Sequence, residues 1–283
     1  MDMSKRSCVR LPISNLAAAA RAVLCEPDPR AKVARTHLTA ADWRAGRSTA
    51  LNLVAAADAT TITTMPERPA RPALPQLMAP RLMPRRRLGG VRGRIALLHA
   101  VAHIELNAID LAWDLIGRFA ALDWPAEFFD DWVDVAADEA RHFTMLAARL
   151  NELGASYGDL PAHDGLWEAA MATSHDPLAR LAVVPMVLEA RGLDVTPAMI
   201  ARLQRAGDDA SAALLEVILR EEVAHVAAGQ RWFSYLCRRR SLSEHETWRE
   251  LVAAHYRGVP RPPFNEAARR AAGMAPELYQ QLA

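Results

Sequence analysis

Two short stretches constrain this chain more than anything else in it: Glu139-Ala140-Arg141-His142 and Glu222-Val223-Ala224-His225. Each is a Glu-x-x-His set within a segment of helical patterning. Residues three apart on a helix share a face one turn apart, so each motif offers a carboxylate and an imidazole to the same point. One such motif says little, because a chain of this composition yields about 0.5 by chance. The spacing upstream is what decides. Glu105 precedes Glu139 by 34 positions, and Glu189 precedes Glu222 by 33. Two helices joined by a short turn return residues so separated to one level, at about 1.5 Å per residue. The two sets are offset by 84 positions at the upstream Glu and by 83 at each motif residue. That is an internal repeat of one helical hairpin.

The neighbours place these residues inside. The face of Glu105 carries Val101, Ala102, Ala108, Ile109 and Ala112, and that of His225 carries Ile218, Ala228 and Gly229. Four carboxylates converging in an apolar interior cannot all stay ionised without cations. Two divalent metal ions bridged by carboxylates, each taking one histidine, meet that need. A buried salt-bridge network is the alternative, but these faces supply no Lys and little Arg. The small residues Ala102, Ala108, Ala112 and Gly229 leave space beside the metals.

The rest of the chain fits a helical protein. Its 283 residues include only 13 glycines, and its apolar half is carried by Ala and Leu, which favour helices. No segment alternates with the period of a strand. Helices are predicted over about 93–121, 126–153, 166–173 and 208–237. Another starts at Asp176-Pro177, contains Pro185 and reaches about Leu193; Thr196-Pro197 opens a further short helix. Pro185 stands four residues before Glu189 and removes a backbone donor. The resulting kink either opens a substrate pocket or is tolerated strain. Before this core, residues 1–58 read as short helices, with Asn15 as a cap and Pro27 as a stop. Residues 59–92 form an extended arm, because Pro66, Pro69, Pro72, Pro75, Pro80 and Pro84 forbid a helix or central strand. Residues 93–239 are the four-helix core, and 240–283 a tail with one or two docking helices.

Composition also excludes some classes. A formal net charge of +1 argues against a protein that coats nucleic acid along its whole surface. Apolar runs are too short and too often interrupted for a membrane span. Cys8, Cys25 and Cys237 match no disulfide framework and point to a reducing compartment, the cytoplasm. Six arginines between Arg81 and Arg94 read as a solvated face at a helix entrance, with a phosphate- or RNA-binding patch as the alternative. His99 and His103 lie about 120° and 160° around the helix from Glu105, so hydrogen bonding between helices suits them better than ligation. Asp110 and Asp114 are also off that face. Trp232, near the face of His225, reads as core, with an oxidisable relay as the alternative.

One Glu from each of two helices, with Glu-x-x-His from each of two others, resembles the ferritin-like di-iron carboxylate bundle over about residues 93–239. The resemblance implies an all-α, ferritin-like four-helix bundle. It makes Glu105, Glu139 and His142 the ligands from one half, and Glu189, Glu222 and His225 those from the other, around two Fe ions with Mn as the alternative. Asp138-Glu139-Ala140-Arg141-His142 resembles the Asp-Glu-x-Arg-His form of di-iron oxygenases, in which the Asp supports a ligand histidine. Glu221 is its counterpart, and Ala224 stands where the Arg would be; His103 is a further supporting candidate. The stretches Leu97 to Leu106, Arg71-Pro72-Ala73-Leu74 and Pro263-Phe264-Asn265-Glu266-Ala267 are similar to a bacterial family of unassigned activity, domain of unknown function 455.

These resemblances imply an O2-dependent oxidase or hydroxylase of an organic substrate, supplied by an electron donor. Among such enzymes the general pattern is nearest to tRNA-modifying di-iron hydroxylases, so a nucleoside-type substrate and tRNA itself belong to the expectation. A metal-handling ferroxidase or peroxidase is the alternative, and a non-catalytic helical scaffold the second. A homodimer is expected because the Pro-rich arm is long enough to cross onto a neighbour.

Overall fold

The computed structural model describes residues 13–46, 64–83 and 90–280, and helices account for most of them. Among the described residues there is no strand; the one β feature is an isolated parallel bridge between Leu77 and Ala162. The expectation of an all-helical chain is met at that level. The backbone clusters into two compact units. One combines the described residues up to Pro72 with Ala108–Arg141, and the other Ala73–Asn107 with the residues from His142 onward. The division falls within two continuous helices, α3 (Gly90–Arg118) and α4 (Ala126–Glu152).

In the first unit, α1 (Ile13–Leu24) buries Leu16, Ala19, Ala20, Val23 and Leu24. Steps of three and four put these on one stripe, the pattern of a helix with one face in a core. Asn15 lies inside this helix and not at its cap, since the helix begins at Ile13. Helix α2 (Pro29–Arg44) starts on Asp28, whose carboxylate accepts from the Ala31 N–H at 2.8 Å, with Pro29 in the first turn. Two buried indoles find side-chain acceptors: Trp113 Nε1 donates to Thr36 Oγ1 at 3.1 Å and Trp43 Nε1 to Asp130 at 2.8 Å. Asp110 is fully buried between Lys32 and Arg71, and Arg118 binds both oxygens of Asp114. Burial drives the Asp110 pKa up against the opposing pull of Lys32 and Arg71. The off-face aspartates of α3 are thus structural ion-pair partners in this unit.

In the second unit the longest helix, α8 (Asp209–Arg239), packs against α6 (Pro177–Val183), a π-helical turn (Val184–Glu189) and α7 (Ala190–Arg205). Between them, α5 (Gly165–Ala172) precedes α6, and α9 (Glu244–His255), α10 (Glu266–Ala271) and α11 (Pro276–Tyr279) form the tail. Asp208 caps α8, accepting from the Ser211 N–H at 3.1 Å while Arg149 of α4 binds it at 2.7 Å. At the other end Arg240 binds Asp176, the cap of α6, at 2.9 and 3.0 Å. The buried Trp248 of α9 donates to the Ala182 carbonyl at 3.2 Å.

Both prolines of this region behave differently from a helix stop. At Pro185 the chain does not break; it widens into the π turn, whose looser register accommodates a residue without an N–H. Pro197 opens no new helix, because α7 runs through it from Ala190 to Arg205. Its missing N–H would have bonded the Leu193 carbonyl, and Asn265 Nδ2 donates there instead, at 3.1 Å.

Helix α3 meets the length and hydropathy of a membrane-crossing helix, contrary to the expectation that no segment would. However, 72% of its apolar window is buried inside the protein, and it carries the buried His99, His103, Glu105, Asp110 and Asp114. That is how a core helix passes the same test. The arginines Arg85, Arg86 and Arg87 lie outside the described residues, as does Cys8. Of the others, Arg94 pairs with Asp208 at 3.4 Å. Cys25 is exposed and Cys237 buried, both as free thiols, and burial pushes the Cys237 pKa up to about 11.

Candidate metal centre

Glu105 of α3, Glu139 and His142 of α4, and Glu222 of α8 each offer one ligand atom, all within 4.8 Å of one another. Glu105, Glu139 and His142 are buried; the Glu222 side chain keeps 12% of its surface. Glu139 and His142 share a face because they lie one turn apart on an unbroken helix. The four groups form a buried cluster able to hold a metal ion.

His142 shows how such a cluster is oriented. Its Nδ1 lies 3.1 Å from Glu105 Oε2 and 3.9 Å from Glu222 Oε1. Its Nε2 lies 2.7 Å from Glu221 Oε2. A carboxylate can only accept, so both ring nitrogens of His142 face acceptors; with a cation held between Nδ1, Glu105 and Glu222, Glu221 would keep the hydrogen on Nε2 and leave the Nδ1 lone pair to the ion. His225, one turn after Glu222, places its Nδ1 3.4 Å from Glu222 Oε1. Its ring centroid is 5.8 Å from that of His142. Oxygen donors with imidazole nitrogens suit Fe, Mn or Zn, so the donor set fits a divalent metal ion.

The sequence-derived candidates therefore separate. Glu105, Glu139, His142 and Glu222 come together, and His225 borders them through Glu222. Glu189 is half-buried at the last position of the π turn, on the stretch that packs against α8, and is not one of the four. Glu221 supports His142 of the other half of the repeat. Asp138 meets Arg141 of its own helix at 2.9 Å. His103 takes up the Tyr157 hydroxyl at 2.8 Å and the His163 carbonyl at 3.1 Å. Its neighbour His99 accepts the Gly158 N–H at 3.0 Å and stacks on the Tyr157 ring. Trp232 is core, edge-on to Tyr235. Tyr157, from the loop after α4, had no signal in the sequence because the histidines it meets, His99 and His103, are more than 50 positions away.

The space expected beside Gly229 is occupied. A Cβ built there would lie 2.4 Å from Pro185 Cβ and 2.6 Å from its Cγ. The glycine on α8 and the proline of the π turn are one packing feature.

An all-helical chain with a buried Glu/His cluster is the class that fold and site define. The family model described as "Protein of unknown function (DUF455)" matches residues 25–280, so the chain belongs to that family. An uncharacterised protein of Haemophilus influenzae (strain ATCC 51907 / DSM 11121 / KW20 / Rd) is 41% identical over 202 residues, 70% of each chain. No solved structure matches the chain.

Proposed function

We propose that the chain is a ferritin-like di-metal carboxylate protein and an O2-dependent oxidase or hydroxylase of an organic substrate. The observation that carries this reading is the convergence of Glu105, Glu139, His142 and Glu222 from three helices. In it, Glu139 and His142, with Glu105, hold one ion, and Glu222 and His225, with Glu189, hold the second. Two iron ions in such a centre supply a two-electron reductant for O2. The protein's own residues prepare the site. Glu221 keeps the His142 Nε2 proton engaged so that Nδ1 stays a ligand, and the apolar residues around Glu105 exclude water. Glu189 stands at the last position of the π turn, which packs against α8.

Metal analysis of protein from iron-supplemented cells tests the reading, with Glu139→Ala and Glu222→Ala beside the wild type. About two ions per chain are expected in the wild type, with most of the metal lost in both variants. O2 uptake by the reduced, loaded protein is the second arm. Wild-type protein that takes up no iron, or variants that keep their metal, would overturn the proposal.

A further inference from the structure

A cleft of about 320 Å3, lined by none of the residues of the Glu/His cluster, lies between the start of α7 and the strap that follows α9. Its walls bring together Arg191, Arg257, Arg261 and Arg269 against a single carboxylate, Asp194. That carboxylate is already engaged. Arg269 binds it at 2.9 and 2.8 Å, and the Asn265 N–H donates to it at 2.9 Å. Arg269 is itself buried, with its guanidinium 4.5 Å from the centre of the Tyr279 ring. Arg191 is committed too, donating to the Arg261 and Pro263 carbonyls at 2.6 and 3.3 Å and so fastening the strap to α7.

Two arginines thus build the wall, and two are left over. Arg257 and Arg261 are exposed on the strap, and neither has an ion pair among the described residues. Holding four guanidinium groups around one cleft with one neutralised carboxylate leaves a concentrated positive field. Planar guanidinium forks match phosphate oxygens two at a time. The volume is at the low end for small-molecule sites, and Val187 and Tyr256 give it an apolar side. We propose that this cleft binds a small phosphate-bearing anion, either free phosphate or the phosphate of a monoester. Arg257 and Arg261 contact it, and Arg191 holds them in place. Val187 and Arg191 stand two residues either side of Glu189, so the cleft is on the face of that helix opposite Glu189. It is a site distinct from the metal cluster, and its test does not depend on metal.

Calorimetric titration of the full chain at constant ionic strength, with chloride as the competing anion, tests this. The probes are inorganic phosphate, glycerol phosphate and a ten-nucleotide RNA. Saturable one-to-one binding of phosphate or glycerol phosphate is expected. The Arg257→Ala/Arg261→Ala variant should bind at least about tenfold more weakly, the scale of a lost charge-assisted hydrogen bond. Both side chains are exposed, so circular dichroism should show the variant folded as the wild type. Glycerol phosphate binding about tenfold tighter than phosphate would identify a monoester; equal affinities would identify free phosphate. Absence of saturable binding of both small probes would overturn the proposal. So would unchanged affinity in the folded double variant, or binding of RNA alone.

Discussion

At the scale of single residues, the feature that matters most is which atom of His142 is left for a metal. The imidazole has two nitrogens, and Glu221 takes one of them at 2.7 Å. Glu221→Gln keeps a side chain of the same length but weakens acceptance and introduces a competing amide donor. The expected outcome is metal affinity lower by about 10–100-fold with the fold retained. Competition with a chromophoric chelator measures it, and unchanged affinity would show that Glu221 does not orient the histidine. That Glu221 belongs to the site was legible from its place beside the second Glu-x-x-His. Its partner was not: it serves the histidine of the opposite hairpin, and nothing in local spacing distinguishes that from serving its own. Asp138, its counterpart in the repeat, meets Arg141 on its own helix.

At the scale of elements, helices here continue past residues that normally end them. Pro197 stays inside α7 because Asn265, 72 positions from Leu193, donates to the carbonyl that Pro197 leaves open. Pro185 is carried by the π turn, with its ring against Gly229 of α8. Gly229→Ala would drive a Cβ to 2.4 Å from the Pro185 ring, and both atoms belong to rigid parts of buried helices. A loss of about 1–3 kcal/mol is expected from this overpacking, despite the gain in helix propensity. Urea unfolding of the variant measures it; stability equal to or above the wild type would show that the π turn yields freely. Helix periodicity made α4 and α8 readable almost to their ends, since their stop and start signals are local. The π turn and the unbroken α7 were not readable, because each depends on a partner from another helix.

At the scale of the molecule, the ends of α8 are tied to other helices by charge. Asp208 joins its start to Arg149 of α4, and Asp176 joins α6 to Arg240 at its end. Burial works to raise the pKa of each aspartate. The hydrogen bonds from Ser211 and Arg149, and from Arg240 and the Leu178 N–H, outweigh it and hold both below the ordinary value. A carboxyl group with a depressed pKa in the folded state stabilises fully above its unfolded value of about 4, and that stabilisation is lost as pH falls through the folded pKa. The Asp176→Asn/Asp208→Asn variant, which keeps an acceptor at both caps, should be less stable at pH 7 by on the order of 2 kcal/mol. Below about pH 4 its difference from wild type should shrink. Urea midpoints measured between pH 7 and 3 check this, and a gap independent of pH would remove the ionic account.

The sequence alone determined that the chain is helical, and it grouped Glu105, Glu139, His142, Glu189, Glu222 and His225, of which the structure brings Glu105, Glu139, His142 and Glu222 together. Helical periodicity and a repeat offset are local and countable, and a helix holds residues three or four apart on one face whatever surrounds it. Only the tertiary structure decided the rest. It set Glu221 on His142, closed the space at Gly229 with Pro185, repaired α7 with Asn265, and gathered four arginines around one cleft. Each of these brings together groups dozens of positions apart in the chain. Its distance depends on how helices cross, and that is settled by the packing of whole faces and not by the residues in contact.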